Sequence, residues 1–583
     1  MIIIPLLALT STALVVSPSA FGVDALDDYV KAQMSKYGVP GLSMAIVSGG
    51  KIVETRCYGV LGHGTRRAVT PDTLFQAGSI SKSVAAVGAL RLVEQAKLAL
   101  DEDVNVKLQS WKVPENQFTT NQKVTLRRIL SHTAGMTVHG FPGYAIEASL
   151  PTLIQVLNGD KPANTPSIVV EKVPGTAWQY SGGGYTVMQQ LILDVTGEPF
   201  PDFMRNTVLG PAGMADSSYE QPQPPSRAAR TACGTYPDGQ TVTGRWHIYP
   251  EMAAAGLWTT PTDLAKFVIS IQSSYAGSPS SVLQRPTAVK MLSVEKDGDG
   301  LGTFLGGKET SLQFSHNGRD EGFDALYIGY AKLGFGAAIM INANENSGMI
   351  NRIVQHIGAI YNWPDYPRPV DISGYTFTKL DAKKAREIVG YYSAGDQTIA
   401  LSIVKGRLQL HSGTSLVDEL LPEANGSFLL PDVEQVASFV RSPSAQLTEL
   451  TLSNPKGKDV DHFPRIYGLL AMQRTMPDPD TTRPETVQKF FQASVKGGDP
   501  IRRAPYLTPG AQRDFGGGIP DMKGFQSTEY LGENHVPEGK IVRHGSKVVH
   551  VVEYRIKQSG KTHFAIVYYS DDNLITDFDL VQD

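Results

Sequence analysis

The sequence predicts an α/β chain of the α+β kind: an antiparallel sheet flanked by helices, then a small β-barrel domain, then a C-terminal α+β domain. Three observations predict it. Strand-like apolar runs near both ends of the first block bracket a long helical middle. Short strand-like runs recur at regular spacing after a proline-rich linker. One helix followed by long strands fills the remainder. Strands that flank a helical middle can join into one sheet with helices packed on it.

The 583 residues exceed what a single core supports and suggest about two to four domains. Hydrophobic residues make up 41% and charged residues 19%, an ordinary globular balance unlike that of disordered chains. The net charge of −4 offers no basic excess for binding nucleic acid. Residues 1–22 read as a secretory signal. Ile2 to Val16 is almost wholly apolar, and the small residues Ser17, Ser19 and Ala20 suit cleavage near Ala20, although no Lys or Arg precedes Lys31. No later run is long and apolar enough for a membrane span after signal removal. The mature chain is therefore expected to be exported, to the periplasm or the medium. Export would permit a disulfide between the two cysteines, Cys57 and Cys233, but two buried free thiols fit equally well. No CxxC spacing points to zinc.

Block one spans 23–363. A helix is expected over Ala25 to Tyr37, then a strand over Gly41 to Val47. Ser48-Gly49-Gly50-Lys51 turns the chain into a second strand starting at Ile52. Helical spacing dominates from Ser79 to Leu209. Strands return at Asp324 to Tyr330 and Gly336 to Ile341. Pro364 to Pro369 is a stiff linker. Block two, 370–475, holds short strands such as Ile399 to Val404 and Arg407 to Leu410, the pattern of a small barrel or sandwich. A second linker, Met476 to Pro484, leads to block three, 484–583. There a helix runs from Pro484 to Lys496 and stops at Gly497-Gly498. Strands follow at Lys547 to Ile556 and Thr562 to Tyr569. This last order resembles a nuclear-transport-factor-2-like (NTF2-like) domain.

The chemistry concentrates in three motifs. In Gly78-Ser79-Ile80-Ser81-Lys82 the helical pattern begins after Ser79, so Ser79 sits at a helix N-terminus with Lys82 one turn on, on the same face. A serine hydroxyl needs an adjacent base. A lysine amine can be that base if burial, a nearby cation or the helix dipole lowers its pKa. A lone S-x-x-K arises readily by chance, as a Ser cap before a surface Lys. Here it is followed by Tyr180-Ser181-Gly182 in a glycine-rich turn, and by His316-Asn317-Gly318-Arg319, whose glycines suit a strand that a substrate approaches closely.

The order of these motifs resembles the serine β-lactamase and penicillin-binding-protein superfamily, in its class C-like branch. The pattern there is S-x-x-K, then Y-x-N, then K-T-G or H-x-G. Leu130-Ser131-His132-Thr133-Ala134-Gly135-Met136 is similar to the "LSHTSGL" segment of that group. Ala254 to Leu264 is similar to its "AGGLxSTAxDL" segment. The resemblance covers about Ala25 to Trp363. It implies a β-lactamase/transpeptidase-like fold in which Ser79 is acylated while Lys82 and Tyr180 manage its proton. It further implies that His316 and Gly318 line the substrate strand, that Ser79 and Arg319 supply oxyanion N–H groups, and that Gly182 and Asn317 are substrate-binding positions. His132 is implied to be structural, and neither metal nor organic cofactor is implied. Block two resembles the small barrels that follow some hydrolases of this group.

Gly182 stands where the group usually has Asn, which argues against efficient β-lactam hydrolysis. H-x-G occurs in D-aminopeptidases and some esterases, and a histidine is a weaker anion clamp than lysine. The expected function is a serine hydrolase acting on an amide or ester: a D-amino-acid peptide, a peptidoglycan-type peptide or a small ester. A β-lactamase and a non-catalytic ligand sensor are the competing readings. An oligomer is compatible with all three.

Overall fold

The computed structural model describes residues 20–581, apart from positions 238, 373, 395–396, 405, 413–414, 445–446, 468–476, 496–497, 516–523, 536–540 and 559–560. Residues 1–19 of the expected signal lie outside the described residues. The chain forms two compact units, Met1–Arg368 and Pro369–Asp583.

Unit one begins with helix α1 (Ala20–Tyr37) and the hairpin of β1 (Gly41–Ser48) and β2 (Lys51–Gly59). The nucleophile helix α2 (Ile80–Glu94) comes next, then α3 (Gly182–Thr196), the short α4 (Met252–Ala255) and α5 (Pro261–Ala276). Strands β3 (Phe304–Gly306), β4 (Gln313–Asp320), β5 (Phe323–Tyr330) and β6 (Gly336–Ile341) follow, and α6 (Ser347–Ile360) closes the unit. The sheet runs β2-β1-β6-β5-β4-β3 and is antiparallel throughout. The strands from the two ends of the block therefore meet at β1 and β6, with Met44 opposite Ile339.

Every residue of β1, β5 and β6 is buried, because helices cover both faces of the sheet. On one face, α1 and α6 place Val30, Met34, Ile350, Ile353 and Ile357 against Met44, Ile46, Ile339 and Ile341. On the other, α5 brings Phe267, Val268 and Ile271 into the larger core that holds α2. Helix α2 is buried along nearly its whole length, from Ile80 to Leu90, so its apolar character on all sides marks a central helix. Helix α5 has clear end signals. Thr260 Oγ1 accepts from Asp263 N–H at 3.1 Å, Pro261 opens the first turn, and Gly277 at φ +82° ends the helix.

Unit two holds a nine-stranded sheet, in chain order β7 (Gly390–Ala394), β8 (Gln397–Val404), β9 (Arg407–Ser412), β10 (Ser415–Glu419), β11 (Leu421–Pro422), β12 (Phe428–Leu430), β13 (Gln435–Arg441), β14 (Leu447–Ser453) and β15 (Asp461–Tyr467). The pairing order is β10-β9-β8-β7-β15-β14-β13-β12-β11. Its two edge strands, β10 and β11, are neighbours in sequence, so the sheet curls into a nearly closed barrel. Leu401, Leu408, Leu410, Leu430, Leu450 and Phe463 form its core. Beyond it, α7 (Arg483–Ser494) packs on the sheet of β16 (Phe525–His535), β17 (His550–Gln558), β18 (Lys561–Tyr569) and β19 (Ile575–Val581), through an aromatic core that includes Phe490, Phe491, Tyr554 and Tyr569. The expected helix stop at Lys496-Gly497 lies outside the described residues.

Among the described residues, no helix is long and apolar enough to cross a membrane, and no group of three or more His, Cys, Asp or Glu is arranged to hold a metal ion. Both cysteines are free thiols. Cys57 Sγ lies 3.5 Å from Ser43 Oγ, and Cys233 Sγ accepts from Arg245 Nε at 3.2 Å.

Candidate active site

Ser79 caps α2, and two glycines determine how the chain reaches it. Gly78 has φ +50°, and a Cβ there would stand 2.4 Å from Arg319 N. A Cβ on Gly318 would stand 1.8 Å from Ala77 O. Strand β4 therefore passes in direct contact with the Ala77–Ile80 turn, a fit that only glycine permits on either side. The segment after α4 is tied to the same turn: Ala77 N–H donates to Leu257 O at 2.9 Å, and Leu257 N–H donates to Ser81 Oγ at 2.9 Å.

Lys82 is 2% exposed. Its Nζ donates to Ser79 Oγ at 2.9 Å and to Ala254 O at 2.8 Å. Burial pulls its pKa down to about 7, with the Asp320 carboxylate opposing the shift. The neutral amine is thus well populated at neutral pH, one hydrogen bond from the hydroxyl it would deprotonate.

Tyr180 completes the group. Its hydroxyl bonds to Ser79, and burial holds its pKa above the usual phenol range. Lys82 Nζ lies 5.0 Å from the centre of its ring. The ring packs against His132 at 4.2 Å and His139 at 4.8 Å. His132 is held at φ +54°, and its Nδ1 accepts from Ser181 N–H at 3.1 Å. Burial, with Lys82 nearby, keeps His132 neutral. The His132 segment is thus a platform that places Tyr180. Trp178, whose Nε1 donates to Asp299 Oδ2 at 3.0 Å, braces it from the side.

His316 is buried behind the site, 6.2 Å from the Tyr180 ring. Burial and the nearby Lys82 depress its pKa to about 3, so it offers no positive charge to a substrate carboxylate. Arg319 lies on the outer face of β4 at the margin of the cleft, where its Nε donates to Asp324 Oδ1 at 2.9 Å.

Gly182 and Asn317 do not belong to the cleft wall. Asn317 is exposed on the far side of β4. At Gly182 a Cβ would meet the Phe141 ring at 3.0 Å and His139 O at 3.1 Å. The loop 139–141 occupies the space an Asn side chain would need, which accounts for the glycine in the second motif.

The cleft above Ser79 has a volume of about 310 Å³ and is walled by Lys82, the 139–141 loop, Tyr180, Ala254 and Ala255, with Arg319, Asp320, Glu321, Asn344 and Glu345 on the remaining side. The sequence reading had not singled out Asp320, Glu321 or Glu345. For Asp320 a signal existed: it follows His316 and Gly318 at the two-residue period of a strand.

An antiparallel sheet with helices on both faces, and a Ser-x-x-Lys pair joined to a tyrosine at the start of a buried helix, define a fold of the β-lactamase/transpeptidase-like superfamily. The chain belongs to the Beta-lactamase family, which its residues 26–357 match. It is similar to Protein flp of Staphylococcus aureus (strain N315), 24% identical over 350 residues, covering 57% of this chain and 65% of the relative. It is also similar to Esterase EstB of Burkholderia gladioli, 27% identical over 241 residues, covering 39% of this chain and 60% of the relative. The chain thus spans less than two thirds of the length of each. Among solved structures, the octameric penicillin-binding protein homologue of Pyrococcus abyssi superposes with a TM-score of 0.52 at 18% identity, covering 76% of this chain and all of the other, a likeness of fold.

Proposed function

We propose that the protein cleaves an amide or ester bond through a Ser79 acyl-enzyme. The observation that carries the reading is the Lys82 amine, buried, pulled down to about 7 and hydrogen-bonded to Ser79 Oγ at 2.9 Å. The neutral amine takes the Ser79 proton as Oγ attacks the substrate carbonyl. The N–H groups of Ser79 and Arg319, brought together by the Gly78–Gly318 contact, receive the developing oxyanion. The proton then passes, by way of Lys82 or Tyr180, to the departing amine or alkoxide. Water attacks the acyl-enzyme by the same route in reverse, releasing the acid and restoring Ser79.

The neutral His316 and the filled Asn position favour a small ester or an amino-acid amide over a carboxylate-bearing β-lactam. Export belongs to the same reading and rests on the apolar run from Ile2 to Val16. Residues 484–583 are read as an NTF2-like appendage from their order of one helix and long strands.

The test is turnover of a short-chain p-nitrophenyl ester, a D-alanine p-nitroanilide and a chromogenic cephalosporin by wild type and Ser79→Ala. Ser79-dependent turnover of the ester or anilide supports the proposal. Turnover of the cephalosporin alone makes the protein a β-lactamase.

A further inference from the structure

Strand β4 turns His316, Gly318 and Asp320 to one face and Asn317 and Arg319 to the other. The first face is the one pressed against the Ser79 turn. Asp320 is 4% exposed and yet forms part of the wall of the Ser79 cleft. Neither of its carboxylate oxygens has a hydrogen-bond partner. The donors that stand near are Gly78 N–H and the Tyr249 hydroxyl, and Tyr249 Oη itself accepts from Glu321 N–H at 3.0 Å.

Burial pushes the Asp320 carboxyl well above the usual carboxylate range, against the pull of Lys82 and of those two donors, so holding it ionised in the cleft is costly unless a cation meets it. Lys82 is the one side-chain cation whose charge is felt at Asp320, and among the described residues no cation forms an ion pair with it. Arg319 is turned to Asp324 on the opposite face, and Lys82 Nζ is engaged by Ser79 and Ala254. Glu321 and Glu345 wall the same side of the cleft as Asp320, and the Arg319 guanidinium beside them is shared between Asp324 and Glu345, at 2.9 and 4.0 Å, so carboxyl groups outnumber cations there and the field favours a positive ligand. The buried His316 supplies no opposing charge.

We propose that Asp320 is an ammonium-binding subsite, and that the natural acyl donor carries a protonated amine a few atoms from its scissile carbonyl. A cleft of about 310 Å³ holds a group of aminoacyl size. This deepens the hydrolase reading and rests on it. The substrate class is an amide or ester with a free amino group on its acyl side.

The test uses the full chain and two substrates that differ only in the amine: alanine p-nitroanilide, both enantiomers, and propionyl p-nitroanilide. Wild type should favour one alanine substrate over the propionyl compound by about tenfold or more in kcat/KM, the value of one charge-assisted contact. In Asp320→Asn that ratio should fall to about one. A wild-type ratio near one, or a preference that survives in Asp320→Asn, overturns the subsite. If Asp320→Asn fails to fold, protection of wild-type Ser79 from a fluorophosphonate decides. Propylammonium should slow labelling and 1-propanol should not; equal effects overturn the proposal. Ser79 that labels but shows no amine preference removes the subsite alone. Ser79 that never labels removes the hydrolase reading, and the subsite with it.

Discussion

Replacing Lys82 by methionine should stabilise the catalytic unit while abolishing its chemistry. The amine falls from an ordinary 10.5 to about 7 on burial, which corresponds to about 5 kcal/mol of disfavoured charge. Methionine keeps an unbranched side chain one atom shorter and removes that cost. It also leaves the Ala254 carbonyl and the Ser79 hydroxyl without the amine, a loss of about 1–3 kcal/mol. The variant should therefore be more stable at pH 7 by about 2 kcal/mol. The gap depends on pH in a definite direction. Between pH 7 and 10.5 the unfolded lysine holds a proton that the folded one has released, so wild-type stability rises with pH and the gap narrows. Below pH 7 both states are protonated and the gap is constant. The assay is denaturant unfolding followed by tryptophan fluorescence at pH 6, 7 and 9.5, with fluorophosphonate labelling in parallel. A variant less stable than wild type at pH 7, or a gap that does not narrow at pH 9.5, would refute the claim that burial sets the amine near neutrality. Labelling at wild-type rate would refute its role as base.

Other expectations follow from the same geometry. Acylation should rise about tenfold per pH unit below 7 and level off above it, since only the neutral amine accepts the Ser79 proton; a pre-steady-state burst measured from pH 5 to 9 reads this directly. Tyr180→Phe keeps the ring stack on His132 but removes the hydroxyl that bonds Ser79, so acylation should drop about 10²-fold or more with an unchanged unfolding midpoint. Gly318→Ala places a methyl 1.8 Å from Ala77 O and should push β4 off the Ser79 turn, with about 3 kcal/mol or more lost in unfolding and labelling slowed far beyond that of a surface variant.

Much of the catalytic unit was legible because its signals are local. The run from Gly336 to Ile341 is apolar without interruption and that from Leu42 to Val47 is broken only by Ser43, as suits strands covered on both faces. Ser79 and Lys82 sit one helical turn apart where the apolar pattern begins. What was not legible depends on packing between distant segments. That the loop 139–141 fills the space beside Gly182 is a contact across 41 residues, and nothing near Gly182 in sequence announces it. Asn317 sits next to two residues of the buried face, and strand alternation turns it outward. Asp320 follows the same alternation inward. His316 is neutral because its surroundings are dry, and dryness is a property of the assembled core.

The central claim is that Ser79 is a nucleophile activated by Lys82. The most direct measurement is the intact mass of the full chain after a fluorophosphonate pulse at pH 8, with the modified peptide mapped, for wild type, Ser79→Ala and Lys82→Met. The account predicts one adduct per wild-type chain, located on Ser79, and none in either variant on the same timescale. An adduct on another serine, or equal labelling of Lys82→Met, would contradict it.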